Sequence, residues 1–451
     1  MSAGGASRGG TPGIGRYLAD YERFARNGAA SAPAWLRELR ERGIGRFAEL
    51  GFPTTRLEDW KYTNVLPALE PEFARGVAPA APLTRAAIAP YSLGDACAAE
   101  LVFVNGRFAA ELSSIAGLPD GVCAGNLAAA LGSDAARLSD HLGRLAKPDE
   151  HAFVALNTAF LDDGAVIVAG AGAVAEKPIH VLSIASAAAP VAAYLRHLVV
   201  AGERSQLAVV ETYASLGEGK SFTSSVTEIV AAQAAVVTHG KLEAEDAGSL
   251  HVAAIEAALQ RDAAFTSHEL SLGGGLLRND LHVLLDGEGA DATLNGLFAT
   301  VDGRHVDNHT QVDHARPHTA SRELYKGVLA GRSRGVFNGK ILVHRDAQHT
   351  DARQTNKNLL LSPDATINTK PQLEIHADDV KCSHGSTIGQ VDPDALFYVR
   401  TRGIDLAEAR NLLTHAFASE MIGRIELPAL RELTRHRLAA TLGSRLIGEA
   451  A

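Results

Sequence analysis

Cys382 and His384, in the stretch DDVKCSHGSTIG, stand two residues apart in a chain with only 3 cysteines among 451 residues. A thiol and an imidazole are metal ligands, and together they also make half of a nucleophile–base pair, so the spacing bears on metal chemistry or thiol catalysis. On an extended strand, residues i and i+2 leave the same face, which puts Cys382 with His384 and turns Lys381 and Ser383 the other way. Structural zinc asks for about four such ligands, and no second Cys or Cys/His pair in ligand spacing supplies the rest. A closed site within one chain is therefore not expected, whereas a site completed by another chain, or one holding an iron-sulfur species briefly, fits the pair. Against thiol catalysis, residues two apart on a strand rarely reach hydrogen-bond distance, and no G-x-S-x-G loop accompanies them.

Three other stretches invite chemistry and are read as structural. In RHVDNHTQVDHARPH, His305, Asp307, His309, Gln311 and Asp313 share one face of a strand, but alternate side chains lie about 7 Å apart, so the favoured reading is hydrogen bonding between neighbouring strands rather than chelation. The run ASLGEGKS resembles a phosphate-binding loop with Ala214 in place of its first glycine, and the following SFTSSVTEIV alternates as a strand where such a loop needs a helix N-terminus. SLGGGLLRND reads as a tight corner. Cys97 and Cys123 lie among alanines and are expected as small buried hydrophobes.

The elements that must position these residues follow from length and pattern. A chain of 451 residues needs more than one ordinary core unless it is an elongated repeat. Apolar residues make 46% and charged residues 21%, no run approaches the roughly 20 apolar residues that cross a bilayer, and a net charge of −9 is the wrong sign for phosphate neutralisation. Neither a membrane nor a nucleic acid is an expected partner. The stretch 1–15 reads as a disordered leader without a secretory signal, so the expected location is cytoplasmic, and the few cysteines stay free there. Residues 16–161 read as mainly helical, with a connector at 76–98 and a short strand in ELVFVNGRF.

From 162 to 390 β-branched runs recur every ten to twenty residues, separated by Gly, Asp, Asn and Ser turns, with neither helix nor linker between them. That pattern excludes a layered α/β fold and favours a β-helix over successive sandwiches, although no fixed-length repeat is visible. Residues 391–451 return to helix: Asp392 with Pro393 caps one, and Asp405 with Glu408 opens another. Along the second, Leu406, Ala409, Leu413, Ala416, Phe417 and Glu420 form a stripe, widened by Leu412 and Ile422, that wants two contacts, the chain's own body and a partner.

The run FNGKILVHRDAQHTDARQTNKNLLLSPDATINTKPQLEIHADDVKCSHGSTIGQVDPDALFYVRTRGI, residues 337–404, resembles the C-terminal part of the SufD branch of the SufB/SufD family, which assembles iron-sulfur clusters in the SUF system. LEDWKYTNV and ALNTAFLDDG add to the resemblance. The SufB branch carries a glutamate where Gly385 stands here, so a SufB-like paralogue is the nearer alternative and a Cys–His thiol enzyme the one from another class. The resemblance implies a right-handed parallel β-helix between two helical regions, a non-enzymatic scaffold, and pairing with SufB through the β-helix. It also implies a transient cluster held at that interface by His384 with Cys382. The SufC ATPase would dock on the C-terminal helices, where the junction residues Tyr398, Arg400, Arg402, Gly403 and Ile404 are the expected contacts. It further admits a homodimer of the isolated chain and a reduced flavin in the complex.

Overall fold

The computed structural model describes residues 13–26, 32–115, 117–217 and 219–443. Residues 1–12, most of the expected leader, lie outside the described residues, and helix α1 (Ile14–Arg26) comes first. Helix α2 (Ala34–Leu50) follows, then short strands β1 (Ala74–Arg75), β2 (Ala99–Val104), β3 (Arg107–Phe108) and β4 (Val122–Asn126). Among these stand the short helices α3 (Arg85–Ile88), α4 (Leu127–Ser133), α5 (Ala135–Ser139) and α6 (Ala152–Ala159). From there to residue 389 the named elements are all strands. They are β5 (Ala165–Ala169), β6 (Ile179–Ala185), β7 (Val191–Ala201), β8 (Gln206–Ser215), β9 (Ser221–Ala231), β10 (Val236–Ala244), β11 (Ser249–Leu259) and β12 (Ala264–Ser271), then β13 (Leu276–Leu285), β14 (Asp291–Thr300), β15 (His305–His314), β16 (Ala320–Leu329), β17 (Arg334–Val343), β18 (Asp351–Leu360), β19 (Thr366–Ile375) and β20 (Lys381–Gly389). Helices α7 (Pro393–Thr401), α8 (Leu406–Gly423) and α9 (Pro428–Leu442) follow as the last elements of the described residues.

The strands alternate between two sheets. From β5 on, odd-numbered strands lie side by side in one sheet and even-numbered strands in the other, every neighbour parallel, so the chain winds as a β-solenoid of about 7 turns. Coil length varies: the step from Leu250 to its register partner Leu276 is several residues shorter than the step from Arg334 to its partner Thr366. A repeat that drifts by this much leaves no fixed period in the sequence. One corner is regular. Arg204, Ala234, Asp262, Gly289, His318 and His349 all take positive φ. At four of them, Arg204, Ala234, Asp262 and His318, the N–H bonds to the carbonyl of the residue preceding the next corner position, as from Arg204 to Gln233 and from His318 to Gln348, and His349 bonds the Asp379 carbonyl one coil on. Hydrogen bonds stacked coil on coil hold residues there in the left-handed region that non-glycine side chains rarely adopt. The corner expected at SLGGGLLRND is present, with Gly274 at φ +80° and a Cβ at Gly275 only 2.2 Å from the Ala247 carbonyl.

Inward-facing side chains fill the lumen with an apolar cluster that includes Leu195, Ile229, Val237, Ile255, Phe265, Leu281 and Phe337. Outward faces need cover, and the two helical regions supply it. Tyr17, Phe47, Phe52, Phe153 and Phe160 pack on Tyr194, Phe222 and Leu250 of the odd-strand sheet. Helices α8 and α9 lay Ala418, Met421, Ile422, Leu430 and Leu438 on Leu242, Leu270, Leu297 and Val328 of the even-strand sheet. The line buried along α8 is thus Ala409, Thr414, Ala418, Met421 and Ile422, while Ala416 and Glu420, placed on the stripe by periodicity, face out. Glu420 instead pairs with Lys326 at 2.6 Å, anchoring the helix edge to β16.

The quoted motifs act as fasteners. Asn157 of ALNTAFLDDG donates to the carbonyls of Leu195 and Ser224, both at 3.0 Å, and Asp163 accepts from the backbone of Gly164, Ala128 and Phe108 and from Asn126. Helix α2 runs close against α6: a Cβ on Gly43 would sit 2.7 Å from the Ala159 nitrogen. Beside them the buried Glu228 accepts from Arg196 and from the backbone of Gly143, Leu145 and Ala146.

Candidate functional site

The solenoid does not close on itself. Strands β19 and β20 are the terminal members of their sheets, so each leaves one edge of backbone N–H and C=O groups without a strand partner. Eight of the nine residues of β20 are exposed. Both Cys382 and His384 lie on this strand, on the face that continues the inward-facing columns of the coils beneath: Cys382 stands over Ala352, His384 over Gln354, Ser386 over Asn356 and Ile388 over Asn358. The strand alternation expected for the pair is present, and the tertiary position adds what alternation does not contain, that the column ends here and its last members meet solvent.

The two side chains differ in setting. Cys382 is half-buried against an apolar cluster of Ile341, Val343, Ala347, Ala352 and Ala377, and burial above all pushes its thiol up, countered by a backbone hydrogen bond at Ala352 and aided by Asp351. His384 is exposed and makes no side-chain hydrogen bond among the described residues. A nucleophilic cysteine needs a lowered pKa and a base within reach. Cys382 has its pKa moved the other way and makes no hydrogen bond to His384. Among the described residues no three His, Cys, Asp or Glu side chains gather as a metal site. What the strand presents is an exposed imidazole with a half-buried thiol alongside, at an edge a second chain can reach.

Beneath His384 the lumen is polar. Glu323, Gln354 and His384 occupy one register column on β16, β18 and β20. Gln354 is buried and donates through Nε2 to Glu323 Oε2 at 2.7 Å. Glu323 is pushed up to about 7, by burial first. Deeper coils hold further buried groups: Glu211 accepts from Tyr213, Thr227 and His239, and Lys241 bonds Glu243 at 2.6 Å and Asn279 at 2.5 Å. None of these was singled out from sequence, because their inward orientation emerges only when strands far apart in the chain are stacked.

The C-terminal candidates lie where α7 meets α8. Asp392 caps α7 by accepting from Asp394 and Ala395, and Asp405 caps α8 by accepting from the Glu408 N–H. Tyr398 is 60% exposed, Phe397 71% and Leu412 52%, an apolar surface that the described residues leave open. Arg402 donates to Tyr398 Oη at 3.0 Å with its guanidinium 5.1 Å from the ring centroid, Gly403 turns at φ +89°, Arg400 is exposed and Ile404 is half-buried. Phe397 was not among the expected contacts; its exposure follows from the rotation of α7, which periodicity over so short a helix does not define.

The remaining candidates resolve as structure. His305 and Asp307 bond Thr63, at 2.8 and 2.5 Å, and Asp307 and Asp280 hold the buried Arg278, whose guanidinium lies 4.5 Å from the Trp60 centroid and donates to the Asp59 carbonyl. Gln311, Asp313, His282 and Glu256 continue this outward face, with His282 pushed up to about 10 by Asp313 and Glu256 against its burial. The face therefore clamps the LEDWKYTNV segment, joined at the surface by Lys370 to Glu58 at 2.6 Å. Lys220 precedes strand β9 directly, so no helix serves a phosphate there. Cys97 is half-buried, its thiol pushed up to about 11 chiefly by burial, but Cys123 is exposed, contrary to expectation, because alternation along β4 buries Val122 and turns its neighbour out. A surface groove of about 510 Å³ lies between 64–71 and the corner at Lys220, Gly248 and Arg304, with His305 in its lining.

An open parallel coil, flanked by helical layers and ending on an imidazole, matches one family along nearly its whole length. Residues 183–417 match the SufBD core domain of the SUF system for iron-sulfur cluster assembly, and residues 14–181 match the SufBD N-terminal region. The chain is 32% identical to the iron-sulfur cluster assembly protein SufD of Escherichia coli over 403 residues, 89% of this chain and 90% of the relative. It is 33% identical to a SufBD-family iron-sulfur cluster assembly protein of Synechocystis over 401 residues, 87% and 88% of the two chains. The SufD of Bacillus subtilis is 26% identical over 89% of this chain and 92% of its own length. The chain belongs to the SufBD family of iron-sulfur cluster assembly proteins.

Proposed function

We propose that the chain is a SufD-type scaffold subunit, without enzymatic activity of its own, in a cytoplasmic SufB–SufC–SufD assembly. It pairs the open end of its coil with a SufB subunit and lends His384, with Cys382 beside it, to a nascent iron-sulfur cluster that is cargo. It docks the SufC ATPase on the surface around Tyr398, Arg400, Arg402, Gly403 and Ile404. The observation that carries this reading is the placement of His384: an unpartnered imidazole on an exposed terminal strand, where ligands from a second chain can complete a site that this chain does not close. A neutral imidazole beside thiolates supplied by the partner binds iron less tightly than four thiolates, which suits a site that must release its product. The apolar surface of Phe397, Tyr398 and Leu412, uncovered among the described residues, supports a protein partner at the C-terminal helices.

The test is reconstitution with SufB and SufC partners, reading complex size, ATP hydrolysis and cluster absorbance. His384→Ala leaves assembly and ATP hydrolysis intact and lowers cluster yield about tenfold, the scale of losing one ligand contact. Unchanged yield removes His384 from the site.

A further inference from the structure

Gln354 is 1% exposed, and its two polar ends are unequal. Nε2 donates to Glu323 Oε2 at 2.7 Å, while Oε1 is buried with no hydrogen-bond partner. A buried carbonyl without a donor is a departure from the usual pairing of interior polar groups and calls for an explanation. The amide is also held from across the lumen: a Cβ on Gly339 of the facing strand β17 would lie 2.2 Å from Nε2, so the carboxamide occupies the space that glycine leaves. With Nε2 committed to the carboxylate in the coil below, planarity turns Oε1 away from Glu323. The next residue in register beyond Gln354 is His384, one strand spacing away, on the same face, with its own ring nitrogens free.

We propose that Gln354, clamped by Glu323 and seated against Gly339, is a positioning residue for His384: its free Oε1 is the acceptor that a turn of the exposed His384 side chain brings under one ring N–H, which leaves the other nitrogen bare for iron. Neutral imidazole donates from one nitrogen and binds metal through the other, so an acceptor fixed behind the ring decides which is which and how the ring is turned. A glutamine does this without adding charge, and the bond from Nε2 to Glu323 keeps its donor end turned toward the coil below. The proposal rests on the reading of His384 as a cluster ligand, and its consequence for the isolated chain is measurable without any metal.

The experiment is long-range proton–nitrogen spectroscopy of the full chain labelled at histidine nitrogen, at pH 8, with His384→Gln identifying the signals of that ring. The wild type shows one dominant tautomer. Gln354→Met, of similar volume but without an acceptor, gives the mixture of a free imidazole, and the exchange Glu323→Gln with Gln354→Glu, which keeps an acceptor beneath the ring, restores a single form. Gly339→Ala displaces the carboxamide from the opposite sheet and gives the mixture as well, which decides the matter if Gln354→Met does not fold. A mixed tautomer in the wild type, or a spectrum unmoved by both Gln354→Met and Gly339→Ala, overturns the proposal. In the assembled complex Gln354→Met lowers cluster yield where His384→Ala does. Failure of His384→Ala to change yield strikes the ligand reading alone, because the tautomer result is obtained on the isolated chain.

Discussion

Glu323 offers a test of the polar lumen with a defined sign. Its carboxyl is 4% exposed and its pKa rises from 4.5 to about 7, through burial first and the nearby Glu269, against the hydrogen bond from Gln354. An acid whose pKa rises on folding holds its proton more tightly in the folded chain. Stability is therefore full below about pH 4.5, falls as pH climbs, and levels off above about pH 7. The rise to about 7 is worth about 3 kcal/mol at pH 8, with less than about 1 kcal/mol of it already felt at pH 5. Glu323→Gln removes the titration and keeps the size and one acceptor for Gln354. Urea unfolding of wild type and variant at pH 5 and pH 8 gives two differences, and packing changes, being independent of pH, cancel between them. The variant gains roughly 2–3 kcal/mol more relative to wild type at pH 8 than at pH 5. A difference that stays the same at both pH values refutes the reasoning, because it means that Glu323 titrates alike in the folded and unfolded chain.

Three further perturbations address the clamp, the open edge and the helical surface. Asp307→Ala leaves the buried Arg278 with Asp280, which is itself 30% exposed, as its one carboxylate partner, and removes an acceptor of Thr63. The expected loss is about 3 kcal/mol in urea unfolding, with new protease cleavage within 57–65. A loss under about 1 kcal/mol would mean that the N-terminal segment is held by other contacts. Ile388→Lys, at a residue 51% exposed on the open strand, changes the stability of the isolated chain by no more than about 0.5 kcal/mol yet weakens association with a SufB partner in size-exclusion chromatography. Undiminished association would place the partner elsewhere. Phe397→Asp leaves helix content unchanged in circular dichroism and reduces capture of SufC; full capture would free this surface from that role.

What could be read from the sequence alone was what depends on near neighbours. Alternation in DVKCSHG puts Cys382 and His384 on one face because successive strand side chains always oppose. Asp392 and Asp405 announce helix starts because a short carboxylate reaches the next free N–H groups, and both do so in the structure. The change from helical spacing to β-branched runs near residue 162 falls just before β5, although β2 already lies parallel to β6 in the even-strand sheet. The motif run 337–404 carried the family. Tertiary structure alone decided what each position faces. Coils of unequal length hide their repeat, since corners absorb insertions without disturbing the ladders. His384 is exposed because β20 is the last strand of its sheet, whereas the residues one and two coils below it in the same column, Gln354 and Glu323, are buried. Nothing local distinguishes these three positions. Parallel stacking brings together residues a whole coil apart in the chain, and whether a side chain at such a position lines a core or awaits a partner depends on how many coils follow it.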